Sequence, residues 1–292
     1  MANKPVIIFD TSALNKLADE GDSAALTRRA TRGFTARLTG TSVDEIAATP
    51  EADRRCKLLG LCRRLLSAAS CIQPHALLCQ ALITQFSKTN ASEWQAISGR
   101  LTEDMIEVAW EEVMNDEAAK KQKDYIRAAQ EDFKKVFSEE RLAFERVYGG
   151  GGAARPAAFP EFLSRLQVEG GPFWSLGMGF YERVTKDRPD EGTVREFVGK
   201  CPPFHAFLLA NCLAMYERCA KDPNAAPSFR AGKFDLYMSL YLPYCDEFIT
   251  GDPRQLRALQ EVARSGNLAV RVLSYEDFRE AQISGPNGSP AP

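Results

Sequence analysis

Histidine is scarce in this sequence, which has only His75 and His205 among 292 residues. A histidine general base is therefore not an expected part of the chemistry. His205 recurs with Cys212 and Cys219 at intervals of seven residues on one helical face. That spacing separates successive side chains by about 10 Å at ~1.5 Å rise per residue, too far for one zinc ion. We interpret the three residues as a stripe of the hydrophobic core.

The sequence also lacks paired cysteines, long apolar runs and a strong net charge. None of the eight cysteines forms a CxxC pair, and the chain is too large to need disulfide bonds for stability. The apolar runs fall short of the ~20 residues that span a membrane, and residues 4–9 are too short for a signal-peptide core. The net charge of -2 gives no overall attraction to nucleic acid. With unpaired cysteines among apolar helical residues and no expected transmembrane segment, the sequence predicts a reduced, cytoplasmic protein.

The composition is 45% hydrophobic and 26% charged, as in globular proteins with a substantial core. Charge is unevenly distributed, because residues 28–64 hold nine basic and four acidic residues. A solvated helix face and a phosphate-contacting rim both fit this excess. The arginines assigned to the rim are Arg28, Arg29, Arg32, Arg54 and Arg55.

Hydrophobic patterning predicts an α/β fold. Residues 6–9 form an apolar, β-branched run between Pro5 and Asp10, which is typical of a buried strand. Further strands are predicted at residues 36–41, 247–250 and 268–273. Helices are predicted between them, one of which begins at Ser42 with Glu45 three residues later as a capping box.

The middle of the chain is predicted to be helical. The expected parts are residues 1–88 and 233–282 as two portions of one α/β domain, 89–232 as a helical insertion, and 283–292 as a disordered tail. The two outer portions must fold together, because neither supplies a complete sheet. Aromatic residues in the insertion include Phe173, Trp174, Phe180 and Tyr181, which suit either packing or base stacking.

Four acidic residues are expected at one edge of the sheet. Asp10 and Asp252 each follow an apolar strand directly, at its carboxyl end. Glu45 and Asp235 lie in the first turns of helices that begin at that same edge. Asp246 precedes its strand by contrast, so at ~3.3 Å per residue it should lie about 20 Å away at the opposite edge.

Ligands of parallel α/β sheets bind at this carboxyl edge. Four carboxylates with little histidine nearby favour a hard cation such as Mg²⁺ or Mn²⁺, whose usual chemistry at such sites is phosphodiester cleavage. Each acid also has a structural alternative. Asp10 and Asp252 could cap helices, Glu45 could complete the capping box, and Asp235 could complement a helix dipole.

These residues resemble the motifs of PIN-domain nucleases. The likeness consists of Asp10-Thr11-Ser12 after the first strand, Ser42 with Glu45, Asp235 at a late helix, and Thr250-Gly251-Asp252 after a late strand. It covers residues 1–86 and 233–278 and leaves the insertion out. It implies a PIN-like three-layer α/β/α sandwich and Mg²⁺- or Mn²⁺-dependent RNA cleavage. Asp10, Glu45, Asp235 and Asp252 would be catalytic metal ligands, with Ser12 and Thr250 supporting Asp10 and Asp252.

The resulting hypothesis is a metal-dependent endoribonuclease with an insertion that controls access of RNA or a protein partner. A toxin-type ribonuclease, with an antitoxin bound through the insertion, is one form of it. Two alternatives stay open: a non-catalytic PIN-like module that binds RNA or protein, and a structure-specific DNA nuclease.

Overall fold

A computed structural model describes residues 4–20, 33–65, 70–88, 106–107, 115–148, 154–217 and 233–283. The strands are β1 Val6–Phe9, β2 Thr35–Arg37, β3 Ser70–Cys71, β4 Ile106–Glu107, β5 Glu247–Thr250 and β6 Arg271–Ser274. No helix in these ranges is long and apolar enough to cross a membrane.

The helices follow in chain order. They are α1 Thr11–Asp19, α2 Gly40–Ala47, α3 Ala52–Leu65, α4 His75–Lys88, α5 Asp116–Tyr148, α6 Phe159–Leu166, α7 Pro172–Thr185, α8 Glu191–Lys200, α9 Pro202–Met215, α10 Lys233–Tyr237, α11 Pro253–Ser265 and α12 Tyr275–Ile283. A 3-10 helix, Met238–Tyr244, follows α10 directly.

Four parallel strands form the main sheet in the order β2-β1-β5-β6. The first strand of the chain pairs with a strand more than 230 residues later, with Ile8 opposite Phe248. This pairing confirms that the two ends of the chain complete one sheet, because β1 lies between β2 and β5.

Helices cover both faces of this sheet. Ile7 and Phe9 point into a core that also contains residues of α1, α2, α3 and α12. Ile8 and Phe248 point into the opposite core, formed with α4, α9 and α11. Successive residues of a strand face opposite sides, so both faces of β1 and β5 are apolar. The predicted α/β class and its parallel sheet are confirmed, in a three-layer α/β/α arrangement.

The helical middle of the chain shares one of these cores. Residues of α7, α8 and α9 pack in the same cluster as β5 and α11, and α9 is buried along nearly its whole length. The division of the chain at residues 88 and 232 stays a prediction, since packing is continuous across it. Residues 284–292 of the predicted tail lie outside the described ranges.

Several elements differ in extent from the sequence prediction. Strand β2 has three residues, and the last strand is Arg271–Ser274 instead of 268–273. Helix α10 gives way to a 3-10 helix that contains Pro243. Proline lacks a backbone N–H and disfavours the α conformation of the residue before it, so a regular α-helix could not pass through Pro243.

Candidate functional site

Asp10 lies at the carboxyl end of β1 and caps the helix that follows. Its carboxylate accepts a hydrogen bond from the backbone N–H of Ala13 at 2.7 Å, so the predicted capping role is confirmed. The residue is only 4% exposed, and its own N–H donates to the Ile249 carbonyl of β5. The chain thus places this acid between the ends of the two central strands.

Two hydroxyl groups hold the Asp10 carboxylate. Ser12 Oγ lies 2.9 and 2.8 Å from its two oxygens, and Thr250 Oγ1 lies 2.8 Å from Oδ2. Ser12 Oγ also accepts from the backbone N–H of Gly251 at 2.7 Å. Burial raises the pKa of Asp10 to about 6, while the hydrogen bonds from Ala13, Thr250 and Ser12 oppose that rise.

Thr250 supports a different acid from the one expected. Its hydroxyl binds the Asp10 carboxylate and accepts from the backbone N–H of Asp252 at 3.1 Å, but it does not bind the Asp252 carboxylate. The parallel pairing of β1 with β5 explains why Thr250 binds the Asp10 carboxylate and not that of Asp252, because it brings Thr250 beside Asp10.

Glu45 is in the second turn of α2, not in its first. The cap of this helix is Thr39, whose hydroxyl accepts from the Ser42 N–H at 3.0 Å. The capping box of Ser42 with Glu45 is therefore wrong, and the Glu45 side chain is available for another role. It accepts a hydrogen bond at 2.5 Å from the hydroxyl of Thr11, the residue after Asp10.

The Glu45 carboxyl lies among other acids. Burial raises its pKa to about 8, and repulsion from Asp235, Asp10 and Asp44 adds to the rise, while the Thr11 hydrogen bond opposes it. The hydrogen bond from Thr11 brings Glu45 beside the start of α1, next to Asp10, and the repulsion from Asp235 indicates that this acid of α10 faces the same region. Three of the four predicted acids therefore share one neighbourhood.

The fourth acid, Asp252, lies at the carboxyl end of β5 and caps α11. Its Oδ1 accepts from the backbone N–H groups of Arg254 at 2.6 Å and Gln255 at 3.3 Å. Pro253 occupies the first helical turn, a position that proline favours, so the predicted capping alternative for Asp252 is confirmed. The side chain is exposed, and its Oδ2 has no hydrogen-bond partner within the described residues.

Asp246 is at the opposite edge, as expected. Its carboxylate accepts from the Val6 N–H at 2.7 Å, at the start of β1. Asp246 therefore does not belong to the group of acids at the edge that carries Asp10 and Asp252.

The strand order of the sheet changes direction at the edge that carries Asp10 and Asp252. From β1 the chain passes through α1 to β2 on one side, and from β5 it passes through α11 to β6 on the other. Helices α1 and α11 pack in opposite cores. The strand order therefore reverses between β1 and β5, and ligands of open α/β sheets bind in the crevice at such a point.

The basic segment is used differently from the prediction. Arg28, Arg29 and Arg32 lie outside the described residues. Arg54 binds Asp19 and the Asn15 side chain. The side chain of Arg55 is only 1% exposed and pairs with Asp116 of α5, so this guanidinium does not face solvent where a phosphate could reach it.

Helix α11 carries basic residues that lie outside the basic segment identified in the sequence. Arg254, Arg257 and Arg264 line a cavity of about 480 Å³ between α11, the end of α9 and the start of α6. Arg264 pairs with Glu261, whereas Arg254 and Arg257 are exposed and form no ion pair within the described residues. Arg254 and Arg257 are three residues apart, which places both on one face of the helix. This spacing is visible in the sequence.

Comparison with known proteins gives no relative: no family model, curated protein or solved structure matches the chain.

Across the described ranges, no group of three or more His, Cys, Asp or Glu side chains is arranged to hold a metal ion. The site thus consists of acids brought to one crevice, with Asp10 fixed by hydrogen bonds and Asp252 held at a helix end.

Proposed function

We propose that the protein is a divalent-metal-dependent, PIN-like endoribonuclease whose site is the crevice between β1 and β5. The observation that carries the proposal is the convergence of Asp10, Glu45 and Asp235 at this crevice, with Asp252 at the same edge. Neither Asp10 nor Glu45 has an ion-pair partner among the described residues, so only hydrogen bonds stabilise their charged forms there.

The donor set fits a hard cation such as Mg²⁺ or Mn²⁺. All four residues offer carboxylate oxygens, which these ions prefer. Asp252 keeps one oxygen outside its capping hydrogen bonds, and so does Glu45 outside its bond to Thr11. When bound, the cation would activate a water molecule and stabilise charge on the phosphate.

The residues around the acids have positioning roles in this proposal. Ser12 and Thr250 fix the orientation of the Asp10 carboxylate, and Thr11 fixes that of Glu45. Such hydroxyl contacts orient ligands in many metal sites. Arg254 and Arg257, exposed on α11 just beyond Asp252, would contact RNA phosphates.

A non-catalytic RNA-binding module is the second candidate. It is favoured by the engagement of the Asp252 carboxylate in helix capping and by the lack of a preassembled group of three acids in the described ranges. The two candidates differ in a simple respect, because the module binds RNA equally well in Mn²⁺ and in EDTA and cleaves nothing.

Cleavage of labelled single-stranded RNA, tRNA and single-stranded DNA tests the proposal. Wild-type protein is expected to cleave RNA in Mn²⁺ or Mg²⁺ and not in EDTA, and Asp10→Asn is expected to remove that activity. Asp246→Asn is the matched control, since Asp246 lies at the opposite edge of the sheet. Metal-dependent cleavage that survives in Asp10→Asn would disprove the assigned site, and cleavage of DNA alone would favour the DNA nuclease.

A further inference from the structure

A second cavity lies among the helices. It has a volume of about 230 Å³ and lies between α4, α5, α7, α9 and α10. The residues that define its character are His75, Tyr125, Phe180, Arg183, Phe207 and Tyr237. Its size suits a single small ring system instead of a peptide helix or a folded partner.

Aromatic rings form a continuous wall in this cavity. Phe180 packs against Phe207 with ring centroids 4.8 Å apart, and Phe207 packs against Tyr237 at 5.3 Å. Tyr237 stacks on His75 at 4.3 Å with nearly parallel rings. At the rim, Tyr125 of α5 is 52% exposed. Phe207 and His75 are buried, so the faces on which a base could stack are those of Tyr125 and the half-buried Phe180 and Tyr237.

The cavity has a positive charge at its mouth. Arg183 is exposed, and its guanidinium lies 4.9 Å from the centre of the Phe180 ring. Within the described residues it forms no ion pair, unlike its neighbour Arg188, which pairs with Glu182. An arginine beside an aromatic wall matches a ligand that joins a planar ring to an anionic group.

The cavity contains no activated nucleophile within its described lining. Burial raises the pKa of the Cys79 thiol to about 12, so the thiol stays protonated and apolar at neutral pH. The lining therefore suits binding and not chemistry.

The cavity is structurally connected to the acids. His75 Nδ1 lies 3.1 Å from the hydroxyl of Thr41, which is one helical turn before Glu45 on α2. On the other side, Tyr237 is two residues after Asp235 on α10. One nucleotide bound in the cavity would therefore place its neighbour along the strand near the crevice.

We propose that this cavity binds one base of single-stranded RNA next to the cleaved phosphate, with Arg183 binding the phosphate of that nucleotide. The inference rests on the proposed function for its substrate, but it concerns binding and needs no metal. Phe180 is the one member of the predicted aromatic cluster that lines the cavity, whereas Phe173, Trp174 and Tyr181 are buried in the core.

The test is RNA binding in EDTA, measured by fluorescence anisotropy. The probes are 5′-labelled octamers of uridylate, adenylate and cytidylate and an abasic ribose-phosphate octamer. Tyr125→Ala is expected to weaken binding of the base-bearing octamers roughly five- to twentyfold, in line with the loss of one stacked base. Arg183→Ala is expected to weaken it to roughly the same extent through the loss of a charged hydrogen bond to phosphate. Arg188→Ala, an exposed arginine that pairs with Glu182 and does not line the cavity, is the matched control and should bind as wild type does.

Equal affinity of wild type and Arg183→Ala would overturn the proposal, as would equal binding of abasic and base-bearing octamers. So would the failure of every octamer to bind wild-type protein. The proposed nuclease is judged separately. If the cavity variants lose binding and no metal supports cleavage, the cavity assignment stands and the nuclease fails. If Asp10→Asn loses cleavage while Arg183→Ala binds normally, the nuclease stands and the cavity assignment fails.

Discussion

Glu45 is the residue whose surroundings differ most from those of an ordinary surface acid. Its carboxyl is partly buried and faces repulsion from Asp235 and Asp10, and one hydrogen bond from Thr11 offsets only part of this. Its pKa therefore rises from 4.5 to about 8. The folded, metal-free protein holds a proton there at neutral pH that the unfolded chain releases.

Because of this proton, the contribution of Glu45 to the free energy of unfolding depends on pH. Because the folded state binds more protons between pH 4.5 and about 8, the free energy of unfolding should fall as the pH rises through that range. Glu45→Gln removes the titration while keeping an oxygen for Thr11. The variant should be more stable than wild type at pH 8 in EDTA, by roughly 1–3 kcal/mol at about 1.4 kcal/mol per pKa unit.

Denaturant unfolding at pH 5 and pH 8 measures this effect. The stability gain of Glu45→Gln should be small at pH 5 and larger at pH 8. A gain that is equal at both values, or a loss at pH 8, would show that the acid does not titrate as inferred.

Gly251 is required for the close approach of two backbones. A Cβ atom there would lie 2.9 Å from the Ser12 carbonyl oxygen, in the turn that also joins the Gly251 N–H to Ser12 Oγ. Gly251→Ala should destabilise the protein by about 1–3 kcal/mol. It should also lower RNA cleavage, because Ser12 orients Asp10.

The control for this substitution is Gly179→Ala. Gly179 is inside helix α7, and nothing lies within 4 Å of the position its Cβ would occupy. Alanine should stabilise the helix there by up to about 1 kcal/mol. Thermal unfolding of both variants checks the pair, and equal melting temperatures would contradict the claim of a close contact at Gly251.

The sequence predicted the position of Asp10 and Asp252 at one sheet edge but not the surroundings of Arg55, for a physical reason. Asp10 and Asp252 follow short apolar strands, and parallel pairing alone brings them to one edge. Arg55 falls at helical spacing with Leu58, Leu59 and Cys62, which are all buried. That spacing signals an inward-facing arginine, but its partner Asp116 is 61 residues away and only the folded chain identifies it.

At the scale of secondary-structure elements, two acids of the site lie at the starts of helices. Helices α1 and α11 begin with acids from the ends of β1 and β5, and their capping hydrogen bonds set the direction of these side chains. The start of α2 could not be predicted, because Thr39, Thr41 and Ser42 are all residues that cap helices well. Glu45 still reaches the crevice, since one turn of helix shifts it by only about 5 Å.

Helix α11 should also carry the phosphate contacts. Arg254→Ala with Arg257→Ala should weaken RNA binding and reduce the slope of log affinity against log salt by about 1–2, since each lost phosphate contact lowers the slope by ~0.7 for single strands. Binding titrations over a range of salt concentrations measure this slope.

Arg271→Ala is the control for α11, because that exposed arginine pairs with Glu247 on β5 at the amino end of the strand. A slope that is unchanged in the α11 double variant, or reduced equally in the control, would remove α11 from the RNA-binding surface.

At the scale of the whole molecule, the sheet joins the two ends of the chain. Strand β1 lies between β2 and β5, and residues of both faces of β5 belong to the two cores. The sequence predicted this joining from the incomplete strand sets of each end. It could not predict how the helical middle packs, because α9 is apolar on all sides and gives no direction.

Deletion of residues 246–292 tests the role of the C-terminal strands. This variant should lose cooperative unfolding, because β1 loses its partner and both cores lose residues. Deletion of residues 285–292 is the control and should melt as wild type does. A cooperative transition in the larger deletion, followed by circular dichroism, would contradict the shared sheet.

Titration of the protein with Mn²⁺ by calorimetry at pH 7 tests the central claim most directly. Wild type should bind Mn²⁺ with release of protons, seen as a heat that depends on the buffer, because Glu45 must lose its proton to bind the ion. Glu45→Gln should lose this binding, whereas Asp44→Asn, one residue away on α2, should keep it. Absence of Mn²⁺ binding in wild type, or equal binding in Glu45→Gln, would contradict the proposed metal site.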